Sequence, residues 1–245
     1  MPTPEDFRRL YAAFDAAMTD VDCGAKCAPY NEYGVPFCCD PRHAVPTLYR
    51  AEWRLLRPTG LWRLWQGEDA AETRRLWEET PDYQVPAVCA GPEAMCGAHR
   101  GWRSIVCRSF PFFPYLSREG AFLGLTYYWQ YEDRCWVISH LGRVRLEFRR
   151  QFVAAYERLF ALYPQERETF RHHSTVMRRV FGRRHAEIPL LHRDGGYYWV
   201  RPRDGRLRPA QPEDFPKHGV YALAAQMPFP DELDDAPRAA HDAAG

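Results

Sequence analysis

Lysine is nearly absent. The 33 basic residues include only Lys26 and Lys217, and against 32 acids the formal net charge is +1. Whole-chain attraction to nucleic acid or anionic lipid is therefore not implied. Long apolar runs are also missing: the longest stretch free of Asp, Glu, Lys and Arg, His218 to Pro230, is too short and too interrupted by proline to span a bilayer. The opening MPTPEDFRRL has no basic segment followed by an apolar one, so a cytoplasmic chain is expected. Gly-x-Ser-x-Gly, His-Glu-x-x-His and the phosphate-binding loop are absent, and no glycine-rich turn follows a strand as in a dinucleotide site. No catalytic residue is assigned, and whether the chain is an enzyme stays open. Cysteine is sparse too. Eight in 245 residues is far below the roughly 8–10% of disulfide scaffolds.

The chain does have the material for a core, with 46% hydrophobic residues, 8 Trp, 14 Tyr and 14 Phe, so global disorder is excluded. Its length fits one domain, or one domain with an appended module. Thr3 with Asp6 resembles a capping box, and Phe7, Leu10, Tyr11, Phe14 and Met18 recur at helical spacing, predicting a helix that stops near Val21. Thr47 is placed to cap a short helix through Leu56, ended by Pro58 and Gly60, and a charged helix is expected over 68–79. Asp22 to Asp40 and Tyr83 to Tyr115 read as irregular. Phe112 to Ser117 and Ala121 to Tyr131 read as a hairpin about Arg118-Glu119-Gly120. Val144, Phe148, Phe152, Tyr156, Leu159 and Tyr163 form one stripe of a long helix closed by Pro164, with another helix from Thr169 to Arg179. Turn signals at Asp194-Gly195-Gly196 and Asp204-Gly205 separate short strands.

The cysteines are spaced Cys23-x3-Cys27-x10-Cys38-Cys39 and then, after a long gap, Cys89-x6-Cys96-x10-Cys107, with Cys135 beyond. Both clusters fall in segments read as loops, which can bring sulfurs to one point more easily than regular elements can. Four thiolates saturate a tetrahedral zinc or a single iron–sulfur cluster, and eight fill two such sites. Side chains of neighbours in extended chain diverge, so Cys38 and Cys39 are expected to serve different metals or different irons. Disulfides and inert buried thiols are the alternatives. Arg108, directly after Cys107, is the expected counter-charge to a thiolate cluster.

These residues resemble a known group. Cys23, Cys27, Cys38-Cys39, then Cys89, Cys96, Arg103 and Cys107-Arg108-Ser109-Phe110-Pro111-Phe112, then Cys135, look like the YkgJ-like cysteine-cluster family, described as zinc- or iron-chelating proteins. The likeness covers Cys23 to Cys135. Ser104 stands where members usually carry a proline after the arginine, Phe112 where a further cysteine is frequent, and His99 where tyrosine is common. The pattern is also similar to that of flagellin lysine N-methylases, which implies an iron–sulfur cluster and protein modification.

Histidine is a further candidate ligand at His43 and His99, with His140 and the pair His172-His173 nearby in sequence. From His140 to His185 there are 11 arginines and 4 glutamates; a solvated helical face accounts for them, and nucleic acid is not the expected partner. Glu132-Asp133 reads as a solvated turn. The expectation is thus an α+β protein with an irregular, loop-built metal-binding core over 1–138, flanking helices, a helical and β-hairpin C-terminal extension over 139–228, and a disordered acidic tail over 229–245. The expected function is to hold an iron–sulfur cluster or iron through Cys23, Cys27, Cys38, Cys39, Cys89, Cys96, Cys107 and Cys135, with Arg108 beside it, for redox or protein-modification chemistry on an unidentified protein partner or substrate. A structural zinc protein serving as a partner-binding module is the alternative. No membrane association is expected.

Overall fold

The computed structural model describes residues 1–91 and 99–226; Cys96 and the 229–245 tail lie outside them. The first helix, α1 (Pro4–Ala13), starts as its capping box dictates: Thr3 Oγ1 accepts from Asp6 N at 3.3 Å while Asp6 Oδ2 accepts from Thr3 N at 2.9 Å. It ends well short of Val21 because its last turn is drawn off by other partners. Arg108 takes the Tyr11 and Phe14 carbonyls, and Gln151 Oε1 accepts from Asp15 N and Ala16 N at 3.0 and 2.8 Å.

The segment expected to be a loop after Asp22 instead contains α2 (Cys23–Cys27), whose N-terminus is capped by Asp22 Oδ1 through Gly24 N at 2.9 Å. Thr47 caps nothing. Residues Thr47–Tyr49 pair as strand β1, and α3 (Arg50–Leu56) begins after them with the Glu52 carboxylate accepting from Tyr49 N. Strands β1, β2 (Trp62–Leu64) and β3 (Gln84–Cys89) form an antiparallel sheet in the order β1-β3-β2, joined by α4 (Ala70–Glu79), which Asp69 caps. The short helix α5 (Ile105–Ser109) follows, with Ser104 Oγ accepting from Cys107 N at 3.2 Å.

A second sheet has the antiparallel order β4-β5-β6-β7-β8: Phe112–Leu116, Phe122–Tyr127, Ile188–His192, Tyr197–Val200 and Leu207–Ala210. It draws strands from both sides of residue 138. Helix α6 (Leu146–Leu162) is followed at once by α7 (Pro164–Arg183), so Pro164 opens a helix instead of closing one, its missing N–H being harmless at the first position. Helix α8 (Gly219–Gln226) returns towards the N-terminal half. The core is strongly aromatic. Phe14 packs on Phe148 and Phe152 with ring centroids 5.4 and 6.1 Å apart, and Phe113 stacks on Phe170. Among the described residues no helix is long and apolar enough to cross a membrane.

Gly124 in β5 is required by backbone approach. Its φ is +153°, and a Cβ there would overlap the Leu191 carbonyl of β6. Gly124→Ala is expected to cost about 2–4 kcal/mol, seen as a lower denaturant midpoint; an unshifted midpoint would contradict this account of the β5–β6 pairing.

Candidate metal centre and adjoining cleft

The seven described cysteines are all free thiols, and they are carried mostly by regular elements. Cys23 and Cys27 sit at the two ends of α2, Cys38 and Cys39 in a one-turn 3-10 helix, Cys89 at the end of β3 and Cys107 in α5. Cys135 lies in the turn after the 3-10 helix Trp129–Tyr131, its amide bonded to the Tyr131 carbonyl at 2.9 Å. The expected divergence of Cys38 and Cys39 is not seen. In the 3-10 turn their sulfurs are 3.9 Å apart, because the backbone is coiled there, not extended.

Four thiols from three segments lie within electrostatic reach of one another. Burial raises Cys27 to about 11, with the charge of Cys23 adding to it. Burial also pushes Cys23 up, against the charge of Arg103. Cys135 is raised by burial and then by Cys23 and Cys27. Cys38 is drawn down by its hydrogen bond to Cys39, but burial and the charges of Cys135, Cys27 and Cys23 together leave it raised. Each is therefore a protonated thiol near neutral pH in the metal-free chain. Tyr221 from α8 closes this group, its ring facing Tyr30 and its hydroxyl donating to the Arg134 carbonyl at 3.1 Å, with Cys27, Cys135 and Cys23 acting on it.

Cys89 and Cys107 form a second association. Burial lifts Cys107 to about 11, opposed by its bond with Ser104 and the charge of Arg103, and reinforced by Cys89. Both line a cleft of about 1010 Å³ together with Cys38, Cys39 and His43. The 3-10 turn of Cys38-Cys39 is thus common to the four-thiol group and the cleft. Among the described residues, no three His, Cys, Asp or Glu side chains stand in an arrangement that would hold a metal ion without movement, and the loop-built metal core expected from the sequence is not found there.

Arg108 is placed differently from the expectation. Its guanidinium donates to the carbonyls of Arg103 (2.9 Å), Tyr11 (3.3 Å), Phe14 and Gly101, and lies 4.3 Å over the Tyr11 ring. It ties α5 to the end of α1. The cation acting on both Cys23 and Cys107 is Arg103, which also bonds the Cys107 carbonyl. Of the histidines, His43 and His173 reach the cleft wall, His140 stacks on Trp136 at 4.2 Å, and His99 precedes the 3-10 helix Arg100–Trp102. Nothing local in the sequence marks Tyr221 as a neighbour of these thiols. Arg103 carried a signal only as part of the motif before Cys107.

Glu52 fixes the element that holds Cys107. It is fully buried, and its Oε1 accepts from Tyr11 Oη at 2.6 Å and from Ile105 N, at the start of α5, at 2.7 Å. Burial raises its pKa from 4.5 to about 7 against those bonds. Between these values the folded state holds a proton that the unfolded state has released, so this group's contribution favours folding below 4.5 and fades as pH rises through about 7. The loss amounts to about 3 kcal/mol. Urea titrations at pH 5 and pH 8 are expected to show a smaller difference for Glu52→Gln than for the parent; equal differences would refute the assignment.

No family model matches this chain, and comparison with curated proteins and with solved structures also finds no match.

Proposed function

We propose that this α+β protein binds a metal through its clustered cysteines, in the manner of the YkgJ-like family it resembles, and that the centre is an iron–sulfur cluster or iron. The observation that carries this reading is the proximity of four free thiols, buried Cys27 and half-buried Cys23, Cys38 and Cys135, close enough for the charge of one to act on another. The thiols are neutral while protonated, and a cation that displaces the protons supplies the positive charge that lets several thiolates stand close together. The donor set is chemically suited to iron–sulfur or tetrahedral zinc sites; binding draws the sulfurs together from their present positions. Arg103 offsets the negative charge of a thiolate centre from the cleft side, and Tyr221 covers it from α8. Cys39, Cys89 and Cys107 are the further donors, across the Cys38-Cys39 turn. An iron–sulfur centre would supply one-electron transfer, for redox or protein-modification chemistry with a partner or substrate protein; zinc in the same thiols would make the chain a structural partner-binding module.

Anaerobic purification with metal and acid-labile sulfide analysis tests this. Iron with sulfide and broad visible absorption is the expected result, and a colourless zinc protein would move the reading to the structural alternative. Protein without metal that also takes up neither ferrous iron nor zinc in titration would overturn both. Because the thiols start protonated, affinity is expected to climb steeply with pH, approaching about four decades per pH unit for a four-thiol site. A pH-independent affinity between pH 6 and 8 would show that other groups are the ligands.

A further inference from the structure

The cleft beside the thiols has a composition of its own. Its described lining includes Arg63, Arg103, His43 and His173, and among the described residues lining it there is no Asp or Glu. Three acids behind the wall are committed elsewhere: Glu72, against Gly67, accepts from Glu68 N at 2.7 Å. Asp40 accepts from Arg42 at 2.7 and 2.8 Å and from Asn31 at 3.1 Å, although His43 Nε2 approaches it to 4.0 Å. Glu52 faces Tyr11 and the backbone of Ile105. The ionisable side chains of its described lining, cysteines aside, are therefore all basic.

Four flat rings stand in its apolar lining beside aliphatic side chains such as Val45, Leu64, Val88 and Val106. Trp65, just after β2, is 8% exposed, and Phe110, Tyr128 and Tyr131 form a continuous wall: Phe110 stacks on Tyr128 at 17° and meets Tyr131 edge-on with centroids 4.8 Å apart. His173 joins the wall edge-on to Tyr128, its Nδ1 turned back to the Thr169 carbonyl at 3.0 Å, which leaves Nε2 as the ring's other polar atom. Rings accept a flat ligand by stacking at little loss of side-chain freedom, and guanidinium groups pair with planar oxyanions. The volume matches that of small-molecule sites.

We infer that this cleft binds an anionic, ring-bearing small molecule, an aromatic carboxylate or sulfonate, with its ring against the Trp65, Phe110 and Tyr128 faces and its acid group held by Arg63 and Arg103. As a substrate class for the metal centre this rests on the proposed function; as a binding site it rests on the cleft's charge and rings alone.

The test uses 2-naphthoate, the neutral 2-naphthalenemethanol and ringless acetate, titrated by calorimetry into the full chain as purified and after metal removal. The naphthoate is expected to bind at least about tenfold more tightly than the alcohol, as one well-placed charged bond provides, and acetate is expected to show no saturable binding. Arg63→Gln, at an exposed position, should lower naphthoate affinity by about fivefold or more while leaving the alcohol unchanged, Arg103→Gln should lower naphthoate affinity as much when both it and the parent are metal-free, and Arg179→Gln, outside the cleft, should change neither. Equal affinity for acid and alcohol, or no binding to folded protein in either state, overturns the inference. Metal analysis of the same batch separates the two readings. Protein that takes up neither ferrous iron nor zinc yet binds naphthoate loses the metal centre and keeps the cleft, and metal-loaded protein that does not bind it does the reverse.

Discussion

Cys38→Ser is expected to lose most of the bound metal and, with it, about 2–5 kcal/mol of stability, or roughly 5–15 °C of melting temperature for a chain of this size. Cys38 is the residue common to both thiol associations. Cys135, Cys27 and Cys23 act on it, its sulfur lies 3.9 Å from that of Cys39, and it lines the cleft with Cys89 and Cys107. Serine keeps the volume within one atom but is a poor ligand for soft metals, so packing changes little and ligation changes greatly. The parent protein stripped by a chelator should melt at the temperature of the variant. If the stripped and loaded parents melt together, metal binding does not order α2 and the Cys38-Cys39 turn, and the coupling proposed between them is wrong.

Arg108→Ala is expected to destabilise the protein by about 3 kcal/mol, with metal retained per folded molecule. Four carbonyls, two of them at the end of α1, lose their donor together, and Tyr11 loses the guanidinium stacked on it. Arg108→Lys should restore less than half of this, because a single ammonium cannot span carbonyls that a planar fork reaches from several sides. Arg103→Gln should behave in the opposite way, weakening metal retention more than folding, since its charge acts on Cys23 and Cys107. Denaturant midpoints and metal content measured on the same preparations decide between the two arginines. If Arg108→Ala sheds metal while its midpoint is unchanged, the counter-charge role belongs to Arg108 after all.

What the amino-acid sequence by itself determined was local. The capping box of α1, the stripe that became α6, the hairpin of β4 and β5 and the turns between β6, β7 and β8 follow from propensity and spacing over a few residues, which act before any tertiary contact forms. The end of α1 was not legible, because Gln151 and Arg108, far along the chain, decide it. Strand β3 was not legible either: its Val85-Pro86-Ala87 run resembles loop until β1 and β2 pair on both sides of it. The cysteine pattern pointed to chelating chemistry, but spacing alone does not say which sulfurs meet. Tertiary structure divided them, setting Cys135 against Cys23 and Cys27 and placing Cys89 beside Cys107. It also gave the two arginines of one short motif different surroundings. Arg108, adjacent to the thiol, turns to the backbone of α1, and Arg103, four residues away, faces the sulfurs. The direction of a long side chain is set by the acceptors around it, and those acceptors lie up to 97 positions away.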